Sequence, residues 1–124
     1  MPHRSRLTAI VIDCKDGDLE AAGRFWGAAL GKTVKRDPDD AKYAALETRP
    51  DEIGILLQRV PHESRVHIDI ESDDVEAEVA RLEALGAKRV EKIRTWWVME
   101  APTGQRFCVV RPQRGPEMPG ANTW

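Results

Sequence analysis

The sequence predicts an α+β fold made of two tandem βαβββ modules, and three observations predict it. One order of signals occurs twice; each copy joins a β-branched strand to an amphipathic helix ending in Leu-Gly; and three strand-like runs follow each helix. The first copy opens as "LTAIVIDCKDGDLEAAGRFWGAALGKTV" from Leu7, and the second as "RVHIDIESDDVEAEVARLEALGAKRV" from Arg65. Their offset falls from about 58 residues at the opening strand to about 55 at the Leu-Gly, as gaps of one or two residues in a loop and a helix produce. A chain of 124 residues fits one domain of ordinary size, here 1–124, with module one over about 7–60, module two over about 65–112 and a Pro/Gly-rich tail over 113–124.

The elements follow in order. The opening strand alternates, with Ile10 and Ile12 on one face. In the first helix Leu19, Ala22, Phe25, Trp26, Ala29 and Leu30 fall on one stripe, Asp18 is its N-cap and Gly31 its left-handed C-cap. Three strand-like runs come next: "KTVKR", "YAALET" and "EIGILLQRV", the last after a "PD" turn. "PHES" at 61–64 is a short joint between modules. The strand "RVHIDIESDD" places His67, Asp69 and Glu71 on one face and Val66, Ile68 and Ile70 on the other. Val75, Val79, Leu82 and Leu85 stripe the second helix, with Asp73 and Glu76 as a capping box and Gly86 at its end. "AKRVEKI", "TWWVMEA" and "QRFCVV" complete the second copy, with "PTG" turning before the last strand. The tail "PQRGPEMPGANTW" has no periodicity and reads as extended, with Trp124 able to anchor its end.

Composition removes several classes of function. With 21 acidic and 19 basic residues and a net charge of −2, there is no field to favour nucleic acid or an anionic membrane. The first apolar run is only about six residues and Asp13 ends it, short of a signal-peptide core. No stretch approaches the roughly twenty apolar residues of a membrane span. The expectation is therefore a cytoplasmic protein without a membrane partner. Cys14 and Cys108 are far apart and form no CxxC pair, which predicts free thiols unless the fold unites them. Signatures of the common hydrolases, zinc proteases and nucleotide sites (GxSxG, HExxH, a Walker loop, GxGxxG) are absent.

The chemistry-bearing residues cluster on the alternating strands. His67 with Asp69 forms a candidate catalytic acid-base pair, a carboxylate orienting an imidazole that titrates near neutrality; the alternative is a pair that only ties the sheet together. Cys108 is either a nucleophile or, as a lone Cys in an apolar strand usually is, a small hydrophobe. Of the adjacent Trp96 and Trp97 one must face the helices and the other a ligand; alternation alone leaves that choice open, and Trp97 is carried as the ligand-side candidate. Tyr43 adds a hydroxyl. Arg106 shares Cys108's face and is placed to meet Asp69, a ligand carboxylate or solvent. Trp26 is assigned to the core.

The segments "IDCKD", "FWGAALG", "QRVP", "VHIDIESDDVEAEVARLEALGA" and "WWVMEAPTGQRFCVV", which cover nearly all of 7–111, resemble the glyoxalase/bleomycin-resistance/extradiol-dioxygenase superfamily, also called vicinal oxygen chelate proteins, and most closely its glyoxalase-like domain group. The resemblance implies an open eight-stranded, cup-shaped barrel with helices outside, a ligand in the concavity and a homodimer. It also implies four metal-ligand places, His or Gln, then Glu, then His, then Glu. Those places fall on Ala9, Gln58, His67 and Cys108 of this chain. Only His67 matches the usual type and Gln58 is a neutral stand-in, so no cofactor is expected, and a divalent metal at His67 and Gln58 is the alternative. The functional expectation is a protein that binds a small, partly apolar molecule through Gln58, Trp97, Arg106, Cys108 and Tyr43 without a complete metal site. The alternative is a lyase, isomerase or dioxygenase that uses an atypical metal or His67 and Asp69.

Overall fold

Alternation in the strand-like runs and capped amphipathic segments between them give eleven elements in the computed structural model, which describes residues 2–15 and 17–124. Along the chain these are β1 (Arg4–Lys15), α1 (Leu19–Leu30), β2 (Val34–Arg36), β3 (Tyr43–Leu46), β4 (Gly54–Val60), β5 (Arg65–Ser72), α2 (Val75–Ala84), β6 (Lys88–Ile93), β7 (Trp96–Glu100), β8 (Arg106–Val110) and β9 (Asn122–Thr123). Both βαβββ copies are therefore present, and the class is α+β. The short β9, in the tail, was not expected. The chain divides into two units: one is Ala9–His67, and the other joins Met1–Thr8 to Ile68–Trp124. Both divisions fall inside strands, so β1 and β5 each contribute to both units.

In the unit Ala9–His67 the strand order is β2-β3-β4-β1. β1 and β4 run parallel, which requires a crossover, and α1 lies within it. Leu19, Ala44, Leu46 and Leu57 form the core, with Ile12, Ala22, Trp26, Val34 and Ile55 packed around them. Asp18 caps α1 by accepting from the Glu20 N–H, and Gly31 closes it in the left-handed region at φ +66°. Two glycines set which face of α1 is buried. A Cβ at Gly27 would stand 2.9 Å from the Lys32 carbonyl oxygen and 3.0 Å from Val34 Cγ2, and one at Gly23 would stand 3.2 Å from Val34 Cγ1. The helix therefore settles on Leu19, Ala22, Gly23, Trp26 and Gly27, a stripe of the i, i+3, i+4, i+7 kind. This corrects the expected stripe, because Phe25 is 62% exposed, Leu30 is 44% exposed and Ala29 is exposed too. Phe25 meets the edge of Trp26 at a centroid distance of 5.0 Å and otherwise faces outward.

In the other unit the order is β5-β8-β7-β6, with β5 and β8 parallel and a register shift between Arg89 and Glu91. Val79, Met99, Phe107 and Val109 form its core, ringed by Ile70, Val75, Leu82, Ala87, Trp97 and Ala101. α2 packs on β8, β7 and β6. Of the three apolar residues that share one face of β5, only Ile70 packs against this core; Val66 and Ile68 are 61% and 41% exposed. The N-cap of α2 is Asp74, accepting from the Ala77 N–H, and not Asp73, whose carboxylate instead takes the Arg4 N–H at 2.8 Å.

The tail is tied down by contacts that carry no periodic signal. β9 pairs with the start of β1, the Arg4 guanidinium donates to the carbonyls of Pro116 and Glu117, and that of Arg6 donates to the carbonyl of Pro119. Trp124 donates from Nε1 to Ser5 Oγ at 2.8 Å, and its ring lies 3.7 Å under the Arg81 guanidinium. Glu71, which alternation places on the same face as His67 and Asp69, is fully buried and serves this same framework. It accepts from Arg6 Nε at 2.6 Å and from the Gln113 N–H at 2.7 Å. Glu78, also fully buried, accepts from His3 at 2.8 Å and is gripped by Arg81 through two bonds of 2.9 and 2.8 Å. Burial pushes its carboxyl up, but hydrogen bonds from Arg81, His3 and Ser5 outweigh that and hold it down at about 2.

Candidate functional site

Side chains on a sheet alternate between faces, so whichever positions meet α1 define their neighbours as the opposite face. Ile12, Ala44, Leu46, Ile55 and Leu57 meet α1. The opposite face of that unit therefore carries Val11 and Asp13 of β1, Tyr43 and Ala45 of β3, and Leu56 and Gln58 of β4. Strand register aligns three of these in one row, because Tyr43 lies opposite Gln58 and Gln58 opposite Asp13. Gln58 Nε2 donates to the Tyr43 hydroxyl at 3.1 Å.

His67 extends the row from the start of β5. Its Nδ1 lies 2.8 Å from Asp13 Oδ2, the carboxylate oxygen that fixes this nitrogen as the protonated one. Arg65, two positions earlier on the same strand, brings its Nε to 3.6 Å from the same oxygen. Asp13 is 2% exposed, and its other oxygen, Oδ1, is buried with no hydrogen-bond partner among the described residues. A buried carboxylate with one lone oxygen is costly unless something donates to it. Beside it, Cys14 points to the other face and its thiol is pushed up, by burial first and then by the Asp13 carboxylate, which favours the protonated form.

Of the residues singled out from the sequence, the structure brings Tyr43, Gln58 and His67 together in this row. The carboxylate bonded to His67 Nδ1 is that of Asp13, which the sequence reading used only as the end of an apolar run. Asp69, Cys108, Arg106 and Trp97 lie in the other unit. Asp69 stands opposite Cys108 in the β5/β8 register, and both cysteines are free thiols. Arg106 pairs across the ladder with Glu100, Nε to Oε1 3.3 Å, and not with Asp69. Trp97 is on the helix side: it packs in the α2 core, donates from Nε1 to Glu76 Oε1 at 2.9 Å and lies 4.9 Å from the Arg89 guanidinium. Sharing a face with Met99 decides the choice that alternation left open between Trp96 and Trp97. The hydrogen bond from Trp97 also holds the Glu76 carboxyl below the usual range, helped by Lys92 and Arg89.

Three of the four metal-ligand places implied by the resemblance fall in the unit Ala9–His67. Ala9 is buried and has no donor atom, Gln58 donates from Nε2 to Tyr43, and His67 is bonded to Asp13 through Nδ1, so the atoms of these three places that could ligate a metal are Gln58 Oε1 and His67 Nε2. Two such atoms are fewer than the several converging ligands of a catalytic divalent site. Sequence reasoning missed Asp13 and Arg65. A carboxylate at an alternating position of an apolar strand was the available signal for the first; Arg65 carried none. Among the described residues no helix is long and apolar enough to cross a membrane.

Comparison with known proteins agrees with this architecture. The sequence matches the glyoxalase-like domain family over residues 9–110. A search of curated protein sequences finds no match. Among solved structures, a hypothetical protein from Bacillus halodurans C-125 shares the fold at a TM-score of 0.64 and 13% identity, over 91% of this chain and 98% of that one. Methylmalonyl-CoA epimerase from Mycobacterium tuberculosis is similar at a TM-score of 0.63 and 19% identity, over 90% and 89%. A glyoxalase/bleomycin resistance protein/dioxygenase superfamily member from Vibrio splendidus 12B01 aligns at a TM-score of 0.51 and 22% identity, over 85% and 98%. Together with the two βαβββ copies, the match over residues 9–110 shows that the chain belongs to the glyoxalase-like domain family.

Proposed function

We propose that the protein binds a small, partly apolar molecule against the face that carries Tyr43, Gln58, Asp13 and His67, without a divalent metal. The observation that carries this reading is the Asp13–His67 bond, which holds an oriented imidazole beside a carboxylate whose second oxygen is buried and has no partner among the described residues. Ala45 and Leu56, both half-buried, supply apolar surface on the same face. A few fixed polar groups set among apolar ones are what small-molecule sites use for orientation and affinity. Ala9 at a ligand place supports binding that does without a metal.

A second reading is favoured by the same pair: acid-base catalysis, in which His67 exchanges a proton with an acidic carbon or hydroxyl of the ligand while Asp13 stabilises the charged imidazole. Asp69, two positions along the strand from His67, is a further candidate in that chemistry. The similarity in fold to methylmalonyl-CoA epimerases makes isomerisation of a carbon acid the first activity to assay. The protein is further proposed to be a cytoplasmic homodimer, a reading supported by its two free thiols and by the exposed Phe25 and Leu30.

The test is a screen of α-carbonyl, catechol and carbon-acid compounds for binding and for turnover, with metal analysis of the purified protein. Binding that survives chelation and is weakened by His67→Ala supports the first reading. Turnover abolished by His67→Ala supports the second, and a stoichiometric divalent ion required for either contradicts both.

A further inference from the structure

The end of β5, the start of α2, the turn between β6 and β7 and the segment after β8 line a cavity of about 450 Å³ that opens to solvent. All of its lining lies within Ile68–Trp124, so it shares no residue with the face that carries Asp13, Tyr43 and Gln58. Three cations, Lys92, Arg94 and Arg111, and three carboxylates, Asp73, Asp74 and Glu76, stand around it. The carboxylates are already claimed. Asp73 accepts from the Arg4 N–H at 2.8 Å and from Arg4 Nε at 3.4 Å, and Asp74 caps α2 through the Ala77 N–H. Glu76 accepts from Trp97 Nε1 at 2.9 Å and pairs with Arg89 at 3.3 Å and Lys92 at 3.5 Å. Arg94 and Arg111 are exposed, and neither guanidinium has a hydrogen bond or ion pair with another described residue. Two positive charges with free donors are left over, and they call for an anion.

The backbone supports the same class of ligand. Arg94 sits in the left-handed region at φ 51°, in the two-residue turn between the paired Ile93 and Trp96, where glycine fits without strain. What arginine adds at that place is a guanidinium on the cavity wall. The Val75 and Glu76 N–H groups precede the first bonds of α2, and no described residue accepts from them. We propose that the cavity binds a small phosphate monoester whose phosphate group pairs with Arg94 and Arg111. Two unpaired guanidiniums match the charge of nearly −2 that such a phosphate carries near neutrality, whereas a carboxylate satisfies only one of them. The volume falls in the roughly 300–1,000 Å³ of small-molecule sites, which leaves room for the organic part of the ester against the half-buried Val75 and Pro112.

The experiment is an NMR titration of the full-length protein, following the backbone amides of Val75, Glu76, Arg94 and Arg111. The probes are phenyl phosphate, inorganic phosphate and, as a carboxylate of similar size, benzoate. Phenyl phosphate should bind at least about tenfold more tightly than benzoate, and no more weakly than inorganic phosphate. Arg94→Gly should weaken phenyl phosphate at least about tenfold without lowering Tm, because glycine relieves the left-handed position. Arg111→Ala should weaken it as much, and tests the same site should the turn variant unfold. Arg24→Ala, which removes an exposed positive charge from α1, should leave the affinity unchanged. Benzoate binding as tightly as phenyl phosphate, inorganic phosphate binding more tightly than the ester, or no movement of these amides by any probe overturns the proposal. Full affinity in either arginine variant overturns it too, as does a loss in Arg24→Ala as large as theirs, which would mark a general response to net charge. Shifts centred on Asp13 and Gln58 instead would place the ligand on the other face and reject this site while leaving that one standing.

Discussion

Asp13 and His67, 54 residues apart in the chain, are joined by a 2.8 Å hydrogen bond from Nδ1 to Oδ2, and the carboxylate that receives it is almost completely buried. Truncating one partner of a buried pair leaves the other without compensation. Asp13→Ala should therefore destabilise the protein by about 3 kcal/mol in urea unfolding, more than His67→Ala. Asp13→Asn keeps the shape and should cost closer to about 1 kcal/mol. Equal and negligible losses for all three would show that the pair does not hold this face together.

Glu78 predicts how stability depends on pH. Its folded carboxyl sits at about 2, below the ordinary 4.5, so the folded state holds the proton less tightly than the unfolded one. The stabilisation is fully present above the ordinary value and is lost as pH falls from there through about 2. Thermal unfolding in the native protein should show a steep loss of Tm over that range, and Glu78→Gln, though less stable near neutrality, should show a shallower one. Parallel curves for the two proteins would remove Glu78 as the cause.

Trp97 separates a core role from a ligand role. Trp97→Phe keeps a ring in the α2 core and removes the bond to Glu76, so the variant should lose about 1 kcal/mol. The Glu76 carboxyl should rise toward its usual range, readable by carbon-detected NMR. Ligand affinity should not change. A selective loss of ligand binding with unchanged stability would reverse this assignment.

Gly27 is a point of close approach. A methyl group there meets the Lys32 carbonyl at 2.9 Å, a backbone atom that cannot swing aside. Gly27→Ala should destabilise by about 1 to 3 kcal/mol despite alanine's better helix propensity, measured by urea unfolding. Gly17→Ala, whose nearest neighbour would stand at 3.4 Å, is the tolerated control.

The modules were legible because strand alternation, helix stripes and cap residues repeat the same local grammar twice. The Asp18 cap, the Gly31 turn and the burial of Trp26 follow from neighbours a few residues away. Features that depend on distant partners were not legible. Nothing near Asp73 says that its carboxylate is claimed by the Arg4 N–H, leaving Asp74 to cap α2. Alternation cannot show which of Trp96 and Trp97 meets a helix until β7 is docked under α2. The tail is aperiodic, and its order comes from Arg4, Arg6 and Trp124 reaching across the unit. Asp13 is the same kind of case: its role is set by a histidine 54 residues away.

The most direct test of the binding face is to map a ligand, once the compound screen yields one, by NMR on metal-free, chelator-treated protein. The account predicts shifts centred on Asp13, Tyr43, Gln58 and His67, undiminished by chelation and weakened in His67→Ala. A ligand that requires an added divalent ion, or one whose shifts centre on Arg106 and Cys108 and leave Asp13 and Gln58 unmoved, would contradict it.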